Sequence, residues 1–263
     1  MASGDDDSDF ASQPSDVSSS SVCEDCDDAS SSSVTPKSSD SETSVSSSSL
    51  NRINLDIEYG ELVDDRDGQT YKTVKIGNQV WMAENLNFKA DSSYCYNDSA
   101  EYCGKYGRLY KWAAAVGKSE SECGYGRRCS LPENIQGVCP SGWHLPSKTE
   151  WEPLFAAIGG RSVASKVLKS ISGWYDNGNG TDDFGFSVLP AGFAQGDGNY
   201  SNEGSDAIFW CSTEYDMYYA YHMLLLSSKD EATQDYYYKI GGFCSLSQEQ
   251  LITRKKPQFC GVF

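Results

Sequence analysis

Apolar residues in this chain fall into two regimes: almost none at regular spacing over the first fifty positions, and from Asp64 onward short periodic runs broken by Gly, Asn and Asp. Thr70 to Ile76 lies between the turn signals Asp67-Gly68 and Gly77-Asn78, and Gln79 to Met82 follows, so the pair predicts a β-hairpin. Arg108 to Val116 places Leu109, Trp112, Ala113 and Val116 at helical spacing, which predicts a buried helix. Ser147 and Glu150 form an S-x-x-E capping box directly after Pro146. Trp151, Leu154, Phe155 and Ile158 then continue as an apolar stripe, so a helix is predicted there, ending at Gly159-Gly160. A further helical stretch, roughly Ser162 to Ser170, runs into Gly173-Trp174 and a loop of Asp, Asn and Gly. Phe184 to Phe193, Ile208 to Thr213 and Tyr219 to Ser227 read as strands. Helices early and strands late predict an α+β fold.

The first stretch changes the domain count. Between Ala11 and Leu50 nearly every second residue is Ser, and residues 1–50 hold eleven acids against one base, Lys37, which is ten of the seventeen net negative charges. Such a segment cannot bury enough apolar area to offset chain entropy, so residues 1–63 are predicted to form a disordered, self-repelling tether. One folded domain follows over 64–243. A pI near 4.4 and the lack of a Lys/Arg stripe argue against binding a phosphate backbone. Cations, neutral polymers and basic proteins remain as partner classes.

Ten cysteines, eight of them beyond residue 90 and without metal-finger spacing, point to an oxidising compartment. Cys95 and Cys103 enclose a short loop and are expected to pair, while Cys123, Cys129 and Cys139 form a second group whose pairing stays open. Cys23-Glu24-Asp25-Cys26 sits among acids, which raise thiol pKa, so a local disulfide or linker crosslink fits it better than a reactive role. No hydrophobic leader or spanning segment opens the sequence. Small residues before Gly4-Asp5-Asp6-Asp7 and a Ser-rich spacer nevertheless look like the start of a mature bacterial lipoprotein, with Ser3 standing where the anchor cysteine would be. The expected location is extracytoplasmic, at the cell surface or secreted.

Three sets of residues carry a family resemblance. They are Asp67 to Gly77 (DGQTYKTVKIG) with Trp81-Met82-Ala83-Glu84-Asn85-Leu86; Gly137 to Trp151 (GVCPSGWHLPSKTEW); and Asn177 to Phe186 (NGNGTDDFGF). With Tyr94-Cys95-Tyr96-Asn97-Asp98, Cys103 and Tyr106-Gly107-Arg108-Leu109-Tyr110, they resemble the Fibrobacter succinogenes major paralogous domain, a family of surface-associated bacterial modules, over about Asp64 to Phe243. The resemblance implies adhesion to plant cell-wall polysaccharide or to surface proteins, by association only. His144 to Trp151 also looks like a segment of formylglycine-generating enzymes, which implies a C-type-lectin-like domain with short helices and twisted antiparallel strands; no active-site residue carries over.

Members of the family finish on a strand close to G-F-S-V-R-C-L-K-N, whereas this chain reads Gly242-Phe243-Cys244-Ser245-Leu246-Ser247. One allowed codon set for Cys244 to Leu251, read from its second base, translates as Val-Arg-Cys-Leu-Lys-Asn-Asn and then a stop. Residues 244–263 are therefore expected to be an out-of-frame extension, which the DNA across Gly242 would decide. The cysteine lost with that strand is the one the resemblance would pair with an upstream cysteine such as Cys139.

Chemistry-bearing constellations are few. His144 and His222 lie far apart outside any nucleophile motif, and each reads as structural. Paired acids such as Asp182 and Asp183 would serve a glycosidase, but in so acidic a chain pairs carry little weight. The loop Asp176, Asn177, Asn179, Asp182 and Asp183 offers hard oxygen ligands on a glycine-flexible backbone, which suits Ca²⁺; the same loop also reads as a set of Asx turns needing no ion. It is not an EF-hand, since Gly178 and Gly180 stand where ligands are required. Two tyrosine-rich groups complete the inventory: Tyr94, Tyr96, Tyr102, Tyr106 and Tyr110, and Tyr215, Tyr218, Tyr219 and Tyr221 with Tyr236, Tyr237 and Tyr238. Either group would stack on sugars or pack locally. The expectation is a non-catalytic binding or display module. The alternative is an enzyme with a deep cleft and perturbed carboxylates or a reactive late cysteine.

Overall fold

The computed structural model describes residues 57–132 and 134–243. The expected hairpin is present as β2 (Thr70–Ile76) and β3 (Gln79–Met82), with Gly77 at φ 60 in its turn. A strand preceding it, β1 (Tyr59–Val63), pairs antiparallel with β2 from Tyr59↔Val74 to Val63↔Thr70. This corrects the tether boundary at residue 63: folded structure starts before Asp64. The error has a physical reason, because β1 is an exposed edge strand held by backbone pairing, with little apolar signal. The β1–β2 turn is locked by Asp64, whose fully buried carboxylate accepts from Arg66 Nε at 2.8 Å and Nη2 at 2.6 Å, while Arg66 Nη1 donates to the Val138 carbonyl at 2.8 Å.

The chain then runs through β4 (Ser93–Tyr94), a 3₁₀ turn (Tyr96–Asp98), α1 (Ala100–Tyr106), β5 (Leu109–Lys111), α2 (Trp112–Ala115) and α3 (Glu120–Cys123). Here the predicted single helix over 108–116 divides. Trp112, Ala113 and Val116 are buried in or beside α2, but Leu109 and Tyr110 extend as β5 because they pair with β4 on one side and, at Tyr110, with a strand at Gly242–Phe243 on the other. Helical spacing recorded burial on both sides of the junction and could not distinguish the two conformations.

Next come α4 (Trp151–Ala157) and α5 (Arg161–Leu168), near their predicted positions, with Gly159 and Gly160 at φ 100 and 106 between them. Glu150 Oε2 accepts from the Ser147 backbone at 2.6 Å, as the capping box requires, although regular helix begins only at Trp151. The rest is β6 (Phe193–Ala194), β7 (Tyr200–Ser201), β8 (Asp206–Glu214), β9 (Tyr219–Leu226), β10 (Thr233–Tyr238) and β11 (Gly242–Phe243). Of the run 184–193 predicted as a strand, only Phe193 lies in one, apart from a single bridge of Val188 to Lys169; β10 was not anticipated. Cys244 to Phe263, where the reframed ending is expected, and residues 1–56 lie outside the described residues.

Short helices combine with three small antiparallel sheets, ordered β1-β2-β3, β10-β9-β8 and β4-β5-β11-β6-β7, so the fold is α+β. The core is aromatic: Trp81, Trp112, Trp151, Trp210, Phe209 and Phe243 are fully buried. Each stabilises the fold by roughly 1.5–3 kcal/mol of apolar burial. Trp210 meets Phe243 at 4.5 Å, and β8 is tied to β5 and α2 where Trp210 Nε1 donates to the Tyr110 carbonyl at 2.9 Å and Trp112 Nε1 to the Cys211 carbonyl at 2.8 Å. Two lysines are also buried. The Lys169 ammonium donates to the carbonyls of Leu226, Ser227 and Lys229 and lies 4.9 Å from the Trp174 ring, so it ties α5 to the end of β9.

Candidate functional site

Among the described residues, an accessible aromatic surface stands on β9 and β10. Strand alternation sends Tyr219 and Tyr221 of β9 and Tyr236 and Tyr238 of β10 to one side, and the register sets Tyr221 opposite Tyr236 and Tyr219 opposite Tyr238. Tyr237 points the other way and packs on Phe243 at 4.8 Å. The array grows at both ends. From the β8–β9 turn, Tyr215 stacks on Tyr236 at 4.2 Å with an interplanar angle of 7°. At the other end Tyr125 meets Tyr218 at 5.0 Å and Tyr238 at 5.9 Å. Tyr219 and Tyr238 are 4.5 Å apart, and their hydroxyl contact, aided by partial burial, raises the Tyr219 phenol to about 12. Lys148 Nζ sits over Tyr221 at 4.2 Å, a cation at the rim.

Local structure holds each ring in place. Asp216 Oδ1 accepts from the backbones of Tyr218 and Tyr219 at 2.7 and 2.9 Å, which shapes the β8–β9 turn. The loop bearing Tyr125 is closed by the Cys123–Cys129 disulfide, and Gly126 N donates to the Met217 carbonyl at 2.9 Å. Fully buried Lys239 fastens the same loop to the end of β10. Its ammonium donates to the Arg127 carbonyl at 2.9 Å and lies 3.5 Å from Glu214 Oε1, whose other oxygen accepts from the Cys129 backbone at 2.7 Å. Burial lowers the Lys239 pKa, and Glu214 opposes that shift. Beneath the sheet His222 is enclosed by Trp210 and Phe243, and burial pushes its pKa down to about 4.

The other predicted residues take local roles. Cys95 and Cys103 are bonded as expected, the open question over the second group resolves to Cys123–Cys129, and Cys139 is a buried free thiol. Cys211 is also buried and free, its thiol pKa raised by burial, which makes it a poor nucleophile. His144 Nε2 is 3.0 Å from Glu150 Oε1, so it braces the start of α4. In the loop proposed for Ca²⁺, Asp182 accepts from the Ser187 backbone and hydroxyl at 2.7 and 2.5 Å, and Asn179 Oδ1 accepts from the Trp174 backbone at 3.0 Å. Asp176, Asn177 and Asp182 adopt positive φ. Both acceptors, Asp182 and Asn179, reach five residues along the chain, so they close the loop on its flanks and are not the two-residue Asx turns. Among the described residues no three His, Cys, Asp or Glu side chains, Asp183 included, converge as a metal site.

The sequence named every ring of the face except Tyr125, which is ninety residues from the nearest other member. The contacts of its disulfide-closed loop with Lys239, Met217 and Glu214 bring it in. Two disulfides suit an oxidising extracytoplasmic environment, and among the described residues no helix is long and apolar enough to cross a membrane. Neither a curated protein nor a solved structure matches the chain. The model of the Fibrobacter succinogenes major domain matches residues 74–254, more than half of the 263, and so takes in every strand and helix from α1 to β11, the whole tyrosine face included. The chain belongs to the Fibrobacter succinogenes major domain family.

Proposed function

We propose that this chain is a non-catalytic, extracytoplasmic module displayed at the cell surface, and that the tyrosine face binds plant cell-wall polysaccharide. The observation that carries the reading is the assembly of seven tyrosines from separate segments into one ring-contacting surface. Tyr125, Tyr215, Tyr218, Tyr236 and Tyr238 each remain 40% or more exposed. Phenol rings offer apolar faces to the C–H surfaces of sugars and hydroxyls to their polar edges. A neutral polymer is also not repelled by a chain of net charge −17. A surface protein as partner is the second reading, favoured by the edge-to-face packing at 84° between Tyr219 and Tyr236, since protein interfaces are enriched in such tyrosines. The wider fold assignment that accompanies the proposal is C-type-lectin-like, supported by the His144 to Trp151 likeness and by small antiparallel sheets with short helices.

The test is retention of the full chain on insoluble cellulose and xylan, with Ca²⁺ and with chelator, beside the Tyr236→Ala/Tyr238→Ala variant. Retention by the parent, lost in the variant and indifferent to chelator, is expected. No retention by a chain with a cooperative melt would turn the search to protein partners. Loss on chelation alone would move the contact surface to the Asp176 to Asp183 loop.

A further inference from the structure

The orientation of the rings on the tyrosine face restricts the form of polymer it can meet. In a crystalline polysaccharide the sugar rings of neighbouring chains lie side by side in flat layers, so a protein surface that docks there must offer several ring faces in one plane. A separated chain, dissolved or swollen, turns freely from one sugar to the next and can follow rings set at different tilts.

The exposed rings of this face do not share a plane. Tyr219 stands at 84° to Tyr236 but at only 32° to Tyr238, so Tyr236 and Tyr238, neighbours on one side of β10, are themselves steeply inclined to one another. Tyr125 continues the turn at 51° to Tyr238. The planes of Tyr215 and Tyr236 are parallel within 7°, but their centroids are 4.2 Å apart. Rings side by side in one plane would touch at their edges and stand well beyond that distance. The two are therefore stacked, and a flat layer laid against one is a ring's thickness away from the other.

These tilts are held by contacts. Tyr236 is fixed between the stacked Tyr215 and the near-perpendicular rings of Tyr219 and Tyr221, the latter at 85°. Tyr125 is held by the Cys123–Cys129 loop and packs at 53° against Tyr218. Rotating the rings into one plane would break this packing, so the twist belongs to the fold.

We propose that the tyrosine face takes a single separated polysaccharide chain and not the flat surface of a crystalline one, the chain turning as it passes Tyr236, Tyr238 and Tyr125. This rests on the polysaccharide reading of the face and narrows it to the physical form of the polymer.

The test compares adsorption isotherms of the full chain on microcrystalline cellulose and on the same cellulose swollen in acid, which differ in packing and not in sugar. A flat layer reaching one ring where a chain reaches two or three should bind about tenfold more weakly in Kd. Soluble cello-oligosaccharides and soluble xylan should displace the protein from the swollen form. Equal or tighter binding to the microcrystalline form, or failure of soluble chains to displace, would overturn the inference and leave the polysaccharide reading standing. A preference for the swollen form that persists in Tyr236→Ala/Tyr238→Ala would place it on another surface and overturn it as well. No retention on either form by a chain with a cooperative melt would end both readings together.

Discussion

Around Glu203 the tyrosine hydroxyls are tied to carboxylates, whereas on the β9/β10 face the rings contact mainly each other and solvent. Glu203 Oε1 accepts from Tyr106 at 2.5 Å and Lys105 at 3.1 Å, and its Oε2 accepts from Tyr175 at 3.2 Å. Nearby, Tyr200 donates to Asp98 at 2.7 Å. Tyr96 and Tyr106 are almost wholly buried there, and burial together with the Glu203 carboxylate raises the Tyr106 phenol well above its ordinary range. On the face, the four central rings project from paired strands and meet one another, Tyr219 with Tyr238 at 4.5 Å and Tyr219 with Tyr236 at 5.5 Å. The same residue type thus cements the fold in one place and forms an accessible surface in the other. The acid beside it, and the side of the strand it occupies, decide which.

The sharpest way to break this comparison is to truncate one ring from each group. Tyr106→Ala should cost about 3–5 kcal/mol, in the manner of other large-to-small core substitutions. Tyr236→Ala, on the exposed face, should stay within about 0.5 kcal/mol. Urea unfolding of both variants measures the difference, and equal losses would remove the distinction.

Acid reaches the underside of the face through His222. Its folded pKa is depressed from 6.5 to about 4 by burial, so the unfolded chain takes up the proton first as pH falls. The stability this group contributes is full above pH 6.5 and is lost as the pH falls through that window to about 4. The loss amounts to roughly 3 kcal/mol for a shift of that size. Denaturant midpoints at pH 7, 5 and 4 should show this slope in the parent and lack it in His222→Phe; identical slopes would assign the acid response to other groups.

A smaller effect sharpens the cementing role of Glu203. Burial opposes ionisation of this group, but the hydrogen bonds from Tyr106 and Lys105 outweigh it and hold the carboxyl below its ordinary pKa. Glu203→Gln should destabilise by about 1–2 kcal/mol at neutral pH, because charge-assisted bonds become neutral ones. The deficit should shrink as the pH falls through the carboxyl pKa, and polymer retention should be unchanged. Lost retention without lost stability would move function to this cluster.

Much of the fold was legible where the signal is local. Asp67-Gly68 and Gly77-Asn78 marked the β2/β3 hairpin, Ser147 with Glu150 marked the approach to α4, and the runs Ile208 to Thr213 and Tyr219 to Ser227 marked β8 and β9. The Cys95–Cys103 pair followed from its short loop. Illegible were the elements whose conformation depends on distant partners. Leu109 and Tyr110 are strand because Phe243 arrives beside Tyr110, far along the chain. Tyr59 to Val63 carry too few apolar side chains to stand out from a polar tail. For the site, tyrosine-rich stretches were visible, but not that Tyr237 turns inward or that Tyr125 joins from another loop. Lys169 and Lys239 read as surface residues by type, and only carbonyls and rings contributed by remote segments make their burial tolerable.

By itself the sequence determined the family, the α+β class, the acidic Ser-rich opening and the local turns, caps and hairpin, because these depend on residues close together in the chain. Tertiary structure decided which tyrosines became surface and which became cement, which cysteine stayed free, and the angles at which the exposed rings meet. Those outcomes depend on which segments meet in space, and short-range periodicity carries no record of that.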